Sequence, residues 1–259
     1  MPYVNSYYKC QVLTDRKLYL KEFYSNRIYS EYYHEKFGFN DSPEKMLDTF
    51  PVPEEDLKKI KVSWNSGLGD FGRHAGIMYW LRTRHNCFFF RTAGFKYQFK
   101  PRKNMISCRF GTNYCFNTIS ESRQKTVDFL RKKYEFSTGK LNHDQYIYEL
   151  CESNISISPF GYGEICAGRD FETFVCGAAL FKPDMSHLQT WPDFYIPEKT
   201  YVPYKWDFSD IMEKVEFYLE KDRWAEIAQA GQEKYRYYIE TRQGKEEFVA
   251  QFLDMFSNK

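Results

Sequence analysis

Residues 154–184, NISISPFGYGEICAGRDFETFVCGAALFKPD, constrain the fold more than any other stretch of this chain. Ile155 and Ile157 alternate with polar residues, which is a strand period, and the run stops at Ser158 and Pro159. Gly161 and Gly163 punctuate a loop, about a dozen helix-compatible residues precede Gly177, and AALFKP has β-type composition. The order strand, loop, helix, strand predicts a parallel βαβ unit. Its loop ends a buried strand and opens a helix, where unpaired N–H groups and the positive end of the helix dipole face outward and favour phosphorylated ligands.

A second unit of the same kind is expected upstream. KIKVSW at 59–64 is strand-like, NSGLGDFG at 65–72 is a glycine loop, 73–84 is helical in pattern, and CFFFR at 87–91 is an apolar strand. Further strands are expected at 9–13 and 106–110, with helices at 15–35, 121–134, 142–151, 209–220, 222–241 and 245–256. Asp15 reads as the N-cap of the first helix. The segment 38–53 is loop-rich with one short helix near 44–49, and the connection after Pro183 carries too little periodicity to be regular throughout. Alternating strands and helices predict α/β architecture with parallel sheets.

Charge and cysteine usage narrow the function classes. No Asp or Glu occurs between Phe71 and Ser120, whereas Arg73, Arg82, Arg84, Arg91, Lys96, Lys100, Arg102, Lys103 and Arg109 all fall there. That stretch suits a phosphorylated ligand or an anionic surface, and peripheral membrane contact through 73–109 is compatible with it; a solvated basic face neutralised by acids elsewhere is the alternative. Seven cysteines, without a C-x-x-C pair or histidines at zinc spacing, read as reduced thiols and give no metal site. There is no basic-then-apolar leader and no run near the ~18 apolar residues of a membrane span, so a cytoplasmic protein is expected. The net charge of +2 gives no reason to expect nucleic acid.

Two glycine loops compete for the chemistry. Gly67, Gly69 and Gly72 form G-x-G-x-x-G between a strand and a helix, which would bind a dinucleotide, but no acid follows before Glu121 to hold the ribose. Only an NADP reading with Arg91 on the extra phosphate survives; the glycines are also explained by backbone passing close to a ligand or a helix. Asp70 and His74 lie where a general base would stand; alternatively Asp70 caps the helix and His74 faces solvent or packs. Around the second loop, Glu164 and Glu172 have seven residues between them, with Arg169 and Asp170 inside the bracket.

The string SPFGYGEICAGRDFETFVCGAALFKPD resembles the donor-binding half of GT-B glycosyltransferases, both the group 1 family and the exostosin-like branch, through Ser158, Pro159, Gly161, Gly163, Glu164, Arg169, Glu172, Gly177 and Pro183. The resemblance spans roughly residues 106–238. It implies two facing Rossmann-like domains, the N-terminal one reduced: 1–104 on the acceptor side and 105–241 for the donor, with a last helix at 242–259 returning to the first. It implies transfer of a sugar from a nucleoside-diphosphate sugar to a hydroxyl of a glycan or glycolipid, as in polysaccharide biosynthesis, with no cofactor and no metal. By the resemblance Glu164 lies near the donor sugar, Glu172 binds the ribose, and Arg109 and Arg123 face the diphosphate with Arg169. The lysine that group 1 enzymes carry after the first arginine is replaced by residues 112–115, TNYC. Asp70 or His74 would be the base of an inverting reaction, and Glu164 is the remaining catalytic candidate; the glutamate pair fits retaining enzymes and the exostosin-like branch inverts. Trp64, Tyr79 and Trp80 are acceptor-side candidates. An NADP-dependent oxidoreductase and a non-catalytic nucleotide or anion-binding module are the alternatives.

Overall fold

The structure is a computed structural model that describes residues 3–45, 51–68, 95, 99, 101–165 and 167–257. The N-terminal segment supplies three short strands, β1 (Tyr7–Lys9), β2 (Gln11–Leu13) and β3 (Ile60–Val62), and one helix, α1 (Ile28–Phe37). β1 and β3 pair in parallel. The single long helix expected over 15–35 does not form. Asp15 does act as a cap, accepting from the Lys17 N–H at 3.0 Å, but what it caps is a short 3-10 turn, Arg16–Leu20. Ser25 and Asn26 then adopt φ of +52° and +59°, a left-handed conformation no α-helix tolerates, and the chain restarts as α1. The expected helix 73–84 and strand 87–91 lie outside the described residues; of the short helix expected near 44–49, Glu44 and Lys45 belong to a 3-10 turn, Pro43–Lys45, and 46–49 lie outside the described residues.

The rest is built on β4 (Asn104–Ser107), α2 (Asn117–Arg131), α3 (His143–Cys151), β5 (Ser153–Ile157), α4 (Ala167–Cys176), β6 (Ala179–Pro183), β7 (Leu188–Thr190), β8 (Val202–Tyr204), α5 (Ile211–Leu219), α6 (Trp224–Glu240) and α7 (Arg242–Ser257). β4, β5, β6 and β8 form one parallel sheet in that order, with Ile106, Ile155 and Ala179 in register across the first three. β5 and β6 are buried along their whole length. Such strands require helices on both faces. α2 packs with α1 and α5, while α4 packs with α3 and α6, and α6 lies across β5 and β6. This is a mixed α/β, Rossmann-like architecture. The sequence places β5, β6, α3 and α6 correctly. It sets the first strand of the sheet two residues late and misses β7 and β8, which are short strands inside the irregular Trp- and Pro-rich connection.

Two tertiary ties place the loops. α2 has no capping side chain of its own at Phe116; buried Asp41, from the N-terminal segment, accepts from the Thr118 N–H at 2.8 Å and from the Thr118 hydroxyl at 3.0 Å. A carboxylate there satisfies an orphan donor and complements the positive helix end. Arg102 does the reverse for α4, donating to the carbonyl oxygens of Cys176 (3.0 Å), Gly177 (2.6 Å) and Ser153 (3.0 Å). Gly177, at φ +65°, ends that helix.

Inside the sheet lies a buried ion pair. Asp170, in the first turn of α4, stands 3.3 Å from the Lys182 ammonium of β6, and both side chains are fully buried. The Ser158 hydroxyl donates to Asp170 at 2.5 Å and the Tyr195 hydroxyl at 2.7 Å. Asp170→Asn leaves the ammonium without its counter-charge and should destabilise the protein by about 3–5 kcal/mol, read from the urea midpoint. Adding Lys182→Met should restore a large part of that loss; a double variant no more stable than Asp170→Asn alone would count against the pairing.

Candidate functional site

The loop between β5 and α4 leaves the sheet after Ser158, whose N–H still donates to the Phe181 carbonyl at 2.8 Å. From there the backbone is held by side chains. Buried Arg123 on α2 donates to Phe160 O (2.6 Å), Gly111 O (3.0 Å) and Pro159 O (3.4 Å). The buried Tyr29 hydroxyl of α1 donates to Gly161 O at 2.6 Å. Burial first, and then the negative charge of Glu164, push the Tyr29 phenol well above its ordinary value, so it stays protonated and donating. The Gly161 N–H donates to Gly163 O at 3.1 Å and closes a tight turn. A Cβ on Gly161 would stand 3.0 Å from the Arg123 guanidinium, a tight contact that would push that side chain aside by a few tenths of an ångström; at Gly163 a Cβ would meet only Gln11, at 4.0 Å.

The turn delivers Glu164 into a buried position beside residues from two other segments. Gln11 donates to one carboxylate oxygen at 2.5 Å, and its own amide oxygen accepts from the Ile165 N–H at 3.3 Å. His187 Nε2 stands 3.8 Å from the other oxygen, near enough for attraction but beyond hydrogen-bond length. Gln11 and His187 meet there because β2 pairs antiparallel with β7 and Thr14 N–H donates to His187 O at 2.9 Å. The His187 ring is wedged edge-on against Trp206, 4.9 Å between centroids. Burial pushes the Glu164 carboxyl up, but His187, the backbone N–H and Gln11 together outweigh it and hold the group below its usual range.

A cavity of about 400 Å³ opens between this loop and the N-terminal segment, walled by Gly163 and Glu164 with Lys9, Gln11, Tyr19, Lys21, Arg27 and Tyr162 among others. The other expected site residues that the structure describes do not line that cavity. Glu172 on α4 faces α3, where His143 Nε2 lies 3.2 Å from its carboxylate. Its second oxygen turns back over the first helical turn, 3.8 Å from where a Cβ on Gly168 would be. Arg169 donates to Arg109 O at 2.6 Å and lies 5.6 Å from the Phe110 ring. Arg109 itself is clamped by Glu149, at 2.9 and 2.7 Å, and donates to Thr138 O at 2.9 Å. Arg123 lies beneath the loop as its anchor.

Asp70 and His74, and with them Gly69, Gly72, Tyr79, Trp80, Arg91 and most of the basic stretch 73–109, lie outside the described residues. Of that stretch, Arg102 and Arg109 are engaged internally, by carbonyls and by Glu149. Trp64 packs edge-on against Phe248 of α7, 5.9 Å between centroids. Gly67 sits against Phe171 of α4: a Cβ there would fall 1.8 Å from the ring, and Tyr235 donates to Gly67 O at 3.0 Å. At Gly67 the requirement for glycine is thus close packing on a helix. Among the described residues no group of three or more His, Cys, Asp or Glu is placed to hold a metal ion, Cys10, Cys108, Cys115, Cys151 and Cys176 are free thiols, and no helix is long and apolar enough to cross a membrane.

Sequence reasoning passed over Gln11, Tyr29 and His187. His187 was within reach, since it lies just beyond the C-terminal end of β6, where α/β proteins present their site residues. Gln11 and Tyr29 carry no local signal, because only the tertiary docking of the N-terminal segment brings them to the loop.

A family model described as glycosyl transferase-like matches residues 119–249, just over half of the chain, and the protein belongs to that family. A search of curated proteins found no match. The activity class is therefore glycosyl transfer, from a glycosyl donor to an acceptor.

The Glu164 carboxyl gives up its proton more readily in the folded protein than in the unfolded chain. Its ionised form therefore adds stability above its ordinary value of 4.5, and that contribution is lost as the pH falls through the depressed folded value. Melting temperatures should show wild type ahead of Glu164→Gln near neutrality, with the gap closing in acid. A gap independent of pH would refute the ionised assignment.

Proposed function

We propose that the protein transfers a sugar from a nucleoside-diphosphate sugar to a hydroxyl of a glycan or glycolipid, with residues 1–104 facing 105–241 in a GT-B arrangement and α7 returning to the first unit. The observation that carries this reading is the single loop that sets ionised Glu164 in a cavity and then opens α4, whose first turn is overhung by the Glu172 carboxylate. Glu164 accepts hydroxyl hydrogen bonds from the donor sugar, and Glu172, steadied by His143, accepts those of the ribose. The diphosphate lies toward the N-terminus of α4, where unpaired N–H groups and the dipole favour negative charge, with Arg169 adjacent. Arg109, bridged to Glu149, and Arg123, under the loop, act by holding backbone in place.

In this reading arginine and the helix end offset the charge of the departing nucleoside diphosphate, and no metal is required. Asp70 or His74 remains the proposed base of an inverting reaction. The contacts Tyr8 hydroxyl to Met255 O at 3.1 Å and Trp64 to Phe248 support the return of α7 to the N-terminal segment. The packing of Gly67 on Phe171 supports placing the first glycine loop as the wall facing α4.

A thermal-shift screen against UDP, GDP, ADP and CMP sugars should identify one nucleotide that raises the melting temperature, because a ligand bound only by the folded state stabilises it by mass action. Glu172→Ala should weaken that nucleotide's binding by about tenfold or more, the worth of hydrogen bonds to a charged group, without lowering the melting temperature of the free protein to a comparable extent. Unchanged nucleotide affinity in Glu172→Ala would remove the ribose assignment.

A further inference from the structure

The cavity beside Glu164 has a charge pattern that the donor does not account for. Among its walls the carboxylate is Glu164, which is buried and engaged by Gln11 and His187, while Lys9, Lys21 and Arg27 bring three positive charges. None of the three forms an ion pair with a carboxylate among the described residues. Lys9 lies over the Tyr19 ring at 4.9 Å. Arg27 donates only to the carbonyl oxygens of Tyr162 (3.1 Å) and Ser25 (2.9 Å), so most of its five N–H donors remain available, and its guanidinium lies 4.4 Å above the Phe116 ring. Lys21 is exposed, and Lys9 and Arg27 are half-buried. Negative charge therefore sits on a buried wall and positive charge on more exposed ones.

Tyr19, Phe23 and Tyr162 add flat apolar surface to the same walls. At about 400 Å³ the space is within the usual range of small-molecule sites, about 300–1,000 Å³. With Glu164 left to the donor sugar, a ligand that fits the remaining wall carries an apolar face to lie against the rings and an anion to meet the cations.

We infer that this cavity binds the acceptor and selects an anionic saccharide, a sugar bearing a carboxylate, phosphate or sulfate group. The inference rests on the transferase reading for the word acceptor. In that reading the donor's diphosphate lies toward α4, Arg169 and Glu172, and neither of those side chains lines this cavity, so the cations of the N-terminal wall serve the second substrate. Charge-assisted hydrogen bonds give such a group affinity that a neutral sugar cannot recover.

Calorimetric titration of the full chain with methyl glucuronide, glucose 6-phosphate and methyl glucoside, at low salt, tests this. At least one charged sugar should bind about tenfold or more tightly than the neutral glucoside, the worth of one hydrogen bond between charged groups. Whichever does so tells carboxylate from phosphate. In the Lys9→Gln, Lys21→Gln double variant, chosen because neither ammonium hydrogen-bonds or ion-pairs to another element among the described residues, the preference should fall to within about threefold while UDP affinity stays unchanged. The melting temperature should move little, by no more than the Lys9–Tyr19 ring contact contributes. Equal binding of neutral and charged sugars, no binding of either charged sugar, or a preference that survives in the double variant would overturn the inference. A loss of UDP affinity matching the loss of sugar affinity would also overturn it, since the lysines would then belong to the donor's diphosphate. If no nucleotide binds but the lysine-dependent sugar preference holds, the donor assignment fails and the anionic-saccharide site stands without it.

Discussion

The carbonyl oxygens of Pro159, Phe160 and Gly161 leave the sheet and are buried, and a buried carbonyl without a donor costs free energy comparable to a lost hydrogen bond. Arg123 and Tyr29 meet that demand from opposite sides. Arg123 reaches up from α2, inside the matched family region, and Tyr29 reaches across from α1, outside it. The loop's conformation is therefore fixed jointly by the α/β unit and by the N-terminal segment. Gly161 is the residue that lets the guanidinium come close enough. A site that must present a carboxylate in one position is best built on backbone locked in this way.

The N-terminal segment is more than a neighbour. β2 adds to β7 in an antiparallel pair, Asp41 caps α2, and Gln11 holds both the side chain of Glu164 and the following backbone N–H. Each tie couples that segment to the loop or to the helix beneath it. Opening it would release Glu164 from Gln11 and separate β2 from the strand that follows His187. The contacts that hold Glu164 and those that shape the cavity wall are thus the same set.

What could be read from the sequence follows from how local each determinant is. The β5–α4–β6 unit was legible because strand period, glycine punctuation and helix length all act within about thirty residues. Glu164 and Glu172 were legible as a spaced pair, but not the directions in which they point: Glu164 toward the N-terminal segment and Glu172 toward His143. The helix over 15–35 was misread because composition there favours helix, while Ser25 is drawn into a buried hydrogen bond with Asp41 sixteen residues away. Arg109 was legible as a cation at a strand end, but its partner Glu149 comes from α3 and no local pattern joins them. β8 was missed because Val202–Tyr204 is a three-residue strand that owes its place to β6, not to its own period.

Glu164 and Asp170 show how one helix entry divides two buried carboxylates between different tasks. Asp170 is closed off, with Lys182, Ser158 and Tyr195 around it, so its charge is compensated inside the protein. Among the described residues Glu164 is compensated by an amide, its own backbone and an imidazole 3.8 Å away, and it borders the cavity. Burial alone would push the carboxyl up and favour its protonated form. The surrounding donors outweigh burial and keep it ionised. An ionised carboxylate accepts hydrogen bonds and does not donate them, so the chemistry open to Glu164 is to hold hydroxyls or to stabilise positive charge developing on a sugar ring. Protonation of a leaving group must then come from elsewhere.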